Sequence, residues 1–131
     1  MKYLLDTSVC VEWLRGNRSI AEAIDGHGLG NCSISEITKV ELLFGERMAE
    51  LRGRRTDRSR LERLFSLLEV VPIGESLDFF ASEKARLYAS GSGIEDFDLL
   101  IGCSAVTGGY ILVTGNISHM GRISGIRIES W

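Results

Sequence analysis

Apolar residues fall along this chain in two rhythms. Short apolar runs, Tyr3-Leu4-Leu5, Cys32-Ser33-Ile34, Val70-Val71-Pro72-Ile73, Ile111-Leu112-Val113 and a last one near Ile126-Arg127-Ile128, are bounded by polar or glycine-rich turns and predict five strands. Pro72 cannot donate to a ladder, so the third run suits an edge. Between the runs, helices are predicted over Val9 to Leu14, after the capping sequence Asp6-Thr7-Ser8, and over Ile20 to Ile24. From Ser35, Ile37, Val40, Phe44, Met48 and Leu51 recur at three- and four-residue steps, predicting a helix of about four turns with these residues on one face. Asp57 stands before a helix faced by Leu61, Leu64, Phe65 and Leu68, which forms a hairpin with the one before it. Two more helices are expected, over Ser76 to Tyr88 and from Asp96 or Phe97 to Val106.

Strands that alternate with helices and read as continuous apolar runs are buried on both faces. The expected fold is therefore α/β, a three-layer α/β/α sandwich around a central, mainly parallel sheet of about five strands. In such sheets the chemistry lies beyond the carboxyl ends of the strands, where strand order reverses. Asp6 and the turn Thr114-Gly115-Asn116 both follow strands directly.

The 131 residues suffice for one domain with its own core, and 44% apolar with 25% charged residues is a globular composition. No apolar stretch is long enough to cross a bilayer or to form a signal-peptide core, so a cytoplasmic location is expected. Three scattered cysteines and two histidines lack zinc spacing, which leaves oxygen ligands for any metal. A net charge of −3 gives no overall basic surplus for nucleic acid. It conceals a polarity, however: Arg52, Arg54, Arg55, Arg58, Arg60 and Arg63 stand close together, a run that suits either phosphate contacts or a protein partner.

Three acids stand out: Asp6 after the first strand, Glu41 in the long helix and Asp98 in the first turn of a later helix. Individually, Asp6 serves equally well as a helix cap, Asp98 as a complement to a helix N-terminus and Glu41 as an exposed helix residue. Glu41 lies four residues after Ile37 and three before Phe44, on the side expected to be apolar, where a carboxylate needs a partner. If the three converge, two carboxylates about 4 Å apart repel by roughly 4 kcal/mol at an effective dielectric near 20, so something positive must bind among them. A divalent cation with oxygen ligands, Mg²⁺ or Mn²⁺, answers that need and can polarise a phosphoryl oxygen.

These residues carry a resemblance. Tyr3-Leu4-Leu5-Asp6-Thr7-Ser8, Ser35-Glu36-Ile37-Thr38-Lys39-Val40-Glu41-Leu42, Ile94-Glu95-Asp96-Phe97-Asp98-Leu99-Leu100-Ile101 and Ile111-Leu112-Val113-Thr114-Gly115-Asn116 resemble successive segments of PIN-domain endoribonucleases, and most of all the VapC toxins of toxin–antitoxin pairs. The resemblance implies a single PIN-like nuclease domain over residues 1–131. It implies metal-dependent hydrolysis of RNA, with Asp6, Glu41 and Asp98 as both the catalytic and the metal-binding acids and Mg²⁺ or Mn²⁺ as cofactor. Thr114 and Asn116 would complete a polar pocket. Where many members of the family carry a further acid after the fourth strand, this chain has Asn116 and then His119, so the resemblance implies that the fourth acid is either missing or supplied by Asp96. The implied partners are an RNA substrate, a VapB-like antitoxin that inhibits the enzyme, and a second copy in a homodimer, giving a heterotetramer or larger with antitoxin. A catalytically degenerate binding module is the alternative.

Overall fold

Each apolar run becomes a strand in the computed structural model, which describes residues 1–131. The strands are β1 (Tyr3–Leu5), β2 (Cys32–Ser35), β3 (Glu69–Val71), β4 (Ile111–Val113) and β5 (Ile128–Glu129). The helices are α1 (Thr7–Leu14), α2 (Arg18–His27), α3 (Glu36–Leu51), α4 (Arg58–Leu67), α5 (Leu77–Ala89), α6 (Asp96–Gly108) and the short α7 (Ile117–Met120). The sheet has the order β3-β2-β1-β4-β5 and every pairing is parallel. Strand order therefore reverses between β1 and β4, and Asp6 and Thr114 occupy the positions just past their carboxyl ends.

Alternation along the strands divides the interior into two cores. Tyr3, Leu5, Cys32, Ile34, Ile111 and Val113 face one side, where α1, α2 and α4 supply Val9, Cys10, Ile20, Ile24, Leu61 and Leu64. Leu4 and Leu112 face the other, against Leu87 of α5 and Leu99, Ile101, Cys103 and Ala105 of α6. With helices covering both faces, the strands have no reason to alternate apolar and polar, which is why they read as continuous runs.

Three expectations are corrected. The third strand ends at Val71, leaving Pro72 beyond it, although the strand does lie at an edge. The last strand begins at Ile128 rather than Ile126. The third correction concerns α3: Ile37, Thr38, Leu42 and Glu46 are its buried residues, whereas Val40, Phe44 and Leu51 are 46%, 65% and 81% exposed. Periodicity found the helix and mistook its inner face, because the inner row includes the polar Thr38 and Glu46. Glu46 can be buried there because Arg58 of α4 donates to its Oε1.

Candidate active site

The turn from β1 into α1 sets the first acid. Asp6 is buried, caps α1 by accepting the Thr7 amide at Oδ1 (2.8 Å), and anchors its own amide on the Val113 carbonyl of β4 (2.9 Å). Its other oxygen, Oδ2, accepts the hydroxyl of the fully buried Thr114 at 2.7 Å. Asp6 is thus a helix cap, and it also belongs to a polar site that joins the ends of β1 and β4.

Thr7 extends that site to α3. Its hydroxyl donates to Glu41 Oε1 at 2.6 Å and lies 3.0 Å from the Thr38 hydroxyl, so one residue holds Asp6 through its amide and Glu41 through its side chain. Glu41 is half-buried between the inner and outer rows of α3. Sequence reasoning overlooked Thr7; the available signal was a hydroxyl immediately after an acid at a strand-to-helix turn.

Asp98 sits half-buried in the first turn of α6, and no side chain or amide donates to its carboxylate. Burial first, and then the negative charges of Asp6, Glu41 and Glu95, push its carboxyl above the usual range, while His119 acts in the opposite sense. The three predicted acids therefore share one electrostatic neighbourhood. Asn116 donates its amide to Thr114 Oγ1 (3.0 Å), and its Oδ1 lies 2.8 Å from His119 Nδ1. Asp96 is engaged elsewhere, in an ion pair with Lys84 at 2.9 Å. The acid next to it, Glu95, is the one whose charge reaches Asp98, a position that spacing alone did not single out.

The donor set fits a hard divalent cation by its chemistry: three carboxylates, no thiolate, and an unrelieved repulsion at Asp98. The side chains are not closed around such an ion, because no three acidic, histidine or cysteine groups stand at joint ligating distance. Asp6 and Glu41 are turned instead into their bonds with Thr7 and Thr114.

The arginine run lies apart from the acids. Arg58 pairs with Glu46 and Glu62, and Arg60 donates to the Leu14 carbonyl at the end of α1. A cleft of about 260 Å³ opens there, with Trp13, Leu14, Leu64 and Leu67 as its apolar walls and Arg60 and Arg63 at its edge. Eight residues of helix at about 1.5 Å each separate it from Asp6 by roughly 12 Å.

An all-parallel α/β domain with carboxylates gathered where strand order reverses defines a class of oxygen-ligand site suited to phosphoryl chemistry. Comparison makes the class specific. The PIN domain signature matches residues 3–123, and the chain belongs to the PIN-domain family. It is 29% identical over 133 residues to the tRNA(fMet)-specific endonuclease VapC of Salmonella typhimurium, covering 100% of this chain and 98% of that one. It is 32% identical over 121 residues to Ribonuclease VapC19 of Mycobacterium tuberculosis, covering 88% and 90% respectively. Among solved structures, VapBC2 of Rickettsia felis, bound to a DNA fragment from its promoter, superposes with a TM-score of 0.87 at 26% identity over 100% of this chain and 99% of that one.

Proposed function

We propose that this PIN domain, a single nuclease domain over residues 1–131, is a metal-dependent endoribonuclease toxin of the VapC kind, held inactive by a VapB-like antitoxin. The observation that carries the reading is the joint electrostatic field of Asp6, Glu41 and Asp98 at the β1/β4 switch point of a chain with VapC relatives along its whole length. Asp6, Glu41 and Asp98 would hold Mg²⁺ or Mn²⁺. Such an ion, when bound, polarises a phosphoryl oxygen and eases ionisation of water.

The chain's own residues divide the remaining work. Thr114 and the Thr7 amide fix both oxygens of Asp6, and the Thr7 hydroxyl fixes one of Glu41, so these two acids are held in place to receive such an ion. Asp98, which receives no side-chain or amide donor, is the acid free to turn towards the ion. Thr114 and Asn116 complete the polar pocket, and His119 sits at its rim against Asn116. The protein works in the cytoplasm; no helix is long and apolar enough to cross a membrane. It acts as a homodimer that forms a heterotetramer or larger with antitoxin.

The test is cleavage of total cellular RNA by the purified, antitoxin-free protein with Mg²⁺ or Mn²⁺. Cutting that stops with EDTA and in Asp6→Asn supports the enzyme. Cutting that survives both sinks it. The open spread of the carboxylates favours a second reading, a degenerate binding module. Calorimetric titration with Mn²⁺ separates the two, since the module binds none.

Two further outcomes are expected. Thr7→Val keeps the β-branch and removes the donor to Glu41; a hydrogen bond to a charged group contributes about 1.5–3 kcal/mol, so the cleavage rate should fall roughly ten- to hundred-fold, with recovery in Thr7→Ser. Leu67, 44% exposed on the wall of the α1/α4 cleft, suits contact with an apolar antitoxin segment. Leu67→Glu should lose co-purification with antitoxin while the free protein keeps its cleavage rate.

A further inference from the structure

Phe97 is 48% exposed in the first turn of α6, one residue before Asp98. It lines an open cavity of about 320 Å³ together with Glu41, Glu95 and Asp96. Glu41 belongs at once to this cavity and to the acid site, so the two are continuous. An aromatic ring left half in water beside a catalytic carboxylate contributes little to the core: Phe97 belongs to neither apolar cluster, whereas its neighbour Leu99 is 1% exposed.

The other walls say which part of an RNA enters. Glu95, which has no ion-pair partner, repels a phosphate, so the backbone does not lie on that wall of the cavity. Asp96 is neutralised by Lys84, while Glu95 forms no hydrogen bond through its side chain and no ion pair. Carboxylates only accept, and they match a base edge that carries N–H donors. Among the bases, guanine presents two such groups, N1–H and the 2-amino group, side by side, and one carboxylate can receive both.

From this the geometry points to a base-binding subsite beside the acids, in which an unpaired guanine of the RNA stacks on Phe97 and donates its Watson–Crick edge to Glu95. The inference rests on the proposed ribonuclease activity and adds to it a platform that selects the nucleotide next to the cut. Single-stranded RNA is commonly recognised by splaying a base onto an aromatic ring and hydrogen-bonding its edge.

The experiment digests total cellular RNA with Mn²⁺ and maps the new ends by sequencing, for the wild type and Phe97 and Glu95 variants of confirmed fold and oligomeric state. Wild-type ends should show guanine enriched at one fixed position beside the cut. Phe97→Ala should slow cutting at those sites about ten- to hundred-fold, the range expected for losing one stacked base, and Phe97→Trp should restore it. Glu95→Gln should flatten the guanine enrichment. Unchanged rates and ends in Phe97→Ala overturn the subsite while leaving the ribonuclease standing. Full rescue by Phe97→Leu, which keeps apolar contact without a ring, also overturns it, because a packing or subunit contact would then suffice. A wild type that cuts no RNA removes the inference together with the activity on which it rests.

Discussion

Replacing Asp98 by Asn is expected to reduce RNA cleavage by about a hundred-fold or more, since a cation's stabilisation of phosphoryl charge is worth several kcal/mol and this change removes one of the three carboxylates that would hold it. The same variant should melt at a higher temperature than the wild type when both are free of metal. The sign follows from the charges around the carboxyl. Its folded-state value lies above the ordinary one because burial, Asp6, Glu41 and Glu95 all disfavour ionisation, so ionised Asp98 opposes folding. The wild type therefore loses stability as pH rises from the ordinary carboxylate value through the raised folded one, and Asn removes that loss. Adding Mn²⁺ should raise the wild-type melting temperature and move the variant far less. Calorimetry with and without Mn²⁺ checks both. A variant that melts lower than the metal-free wild type would mean that Asp98 supports the fold instead of being strained by it.

Such a trade of stability for function also explains which parts of the molecule could be read from sequence. Strands covered on both faces print themselves as apolar runs, and β1, β2 and β4 were legible almost to the residue. The inner face of α3 was not, because Thr38 and Glu46 lie where apolar residues were expected and find their partners in Thr7 and Arg58, 31 and 12 residues away, with Arg58 reaching only Oε1 of Glu46. Phe44 and Val40 then supplied a convincing stripe on the outer side. For the proposed site, Asp6 and Asp98 stood out by their places at a strand end and a helix start and Glu41 by its place on a helix side expected to be apolar, and the family resemblance supplied the expectation that the three act together. The roles of Thr7, Glu95 and Lys84 were not legible, since each depends on which helix packs beside which. Asp96 illustrates the difficulty: its spacing suits a fourth acid, and only the placement of α5 reveals that Lys84 holds it.

The largest stability effect is expected at a residue without any sequence signal. Glu83 of α5 is 4% exposed, and its carboxylate receives Arg86 Nε (2.9 Å), Arg86 Nη2 (3.0 Å) and the backbone amide of Ser124 (2.6 Å). Arg86 also donates to the Arg122 carbonyl at 2.7 Å, so the pair clamps the segment between α7 and β5 onto α5. That segment carries Ile123, 2% exposed in the core beneath α6, which couples the clamp to the packing of the whole second face. Glu83→Ala leaves the Ser124 amide without its acceptor and the half-exposed Arg86 without its carboxylate; losing hydrogen bonds to a buried charged group costs about 1.5–3 kcal/mol, a drop in melting temperature of roughly 5–10 °C for a domain of this size. Glu83→Gln keeps an acceptor for Ser124 and should cost about half as much. The pH dependence identifies the cause. Arg86, chiefly, with the Ser124 amide beside it, holds the Glu83 carboxyl down at about 2 against an ordinary 4.5, so its contribution is complete above 4.5 and is lost as pH falls towards 2. Urea unfolding at about pH 6 and about pH 3 should therefore show the gap between wild type and Glu83→Gln narrowing on acidification. A gap that stays constant would assign the loss to shape and amide geometry rather than to the charge on Glu83.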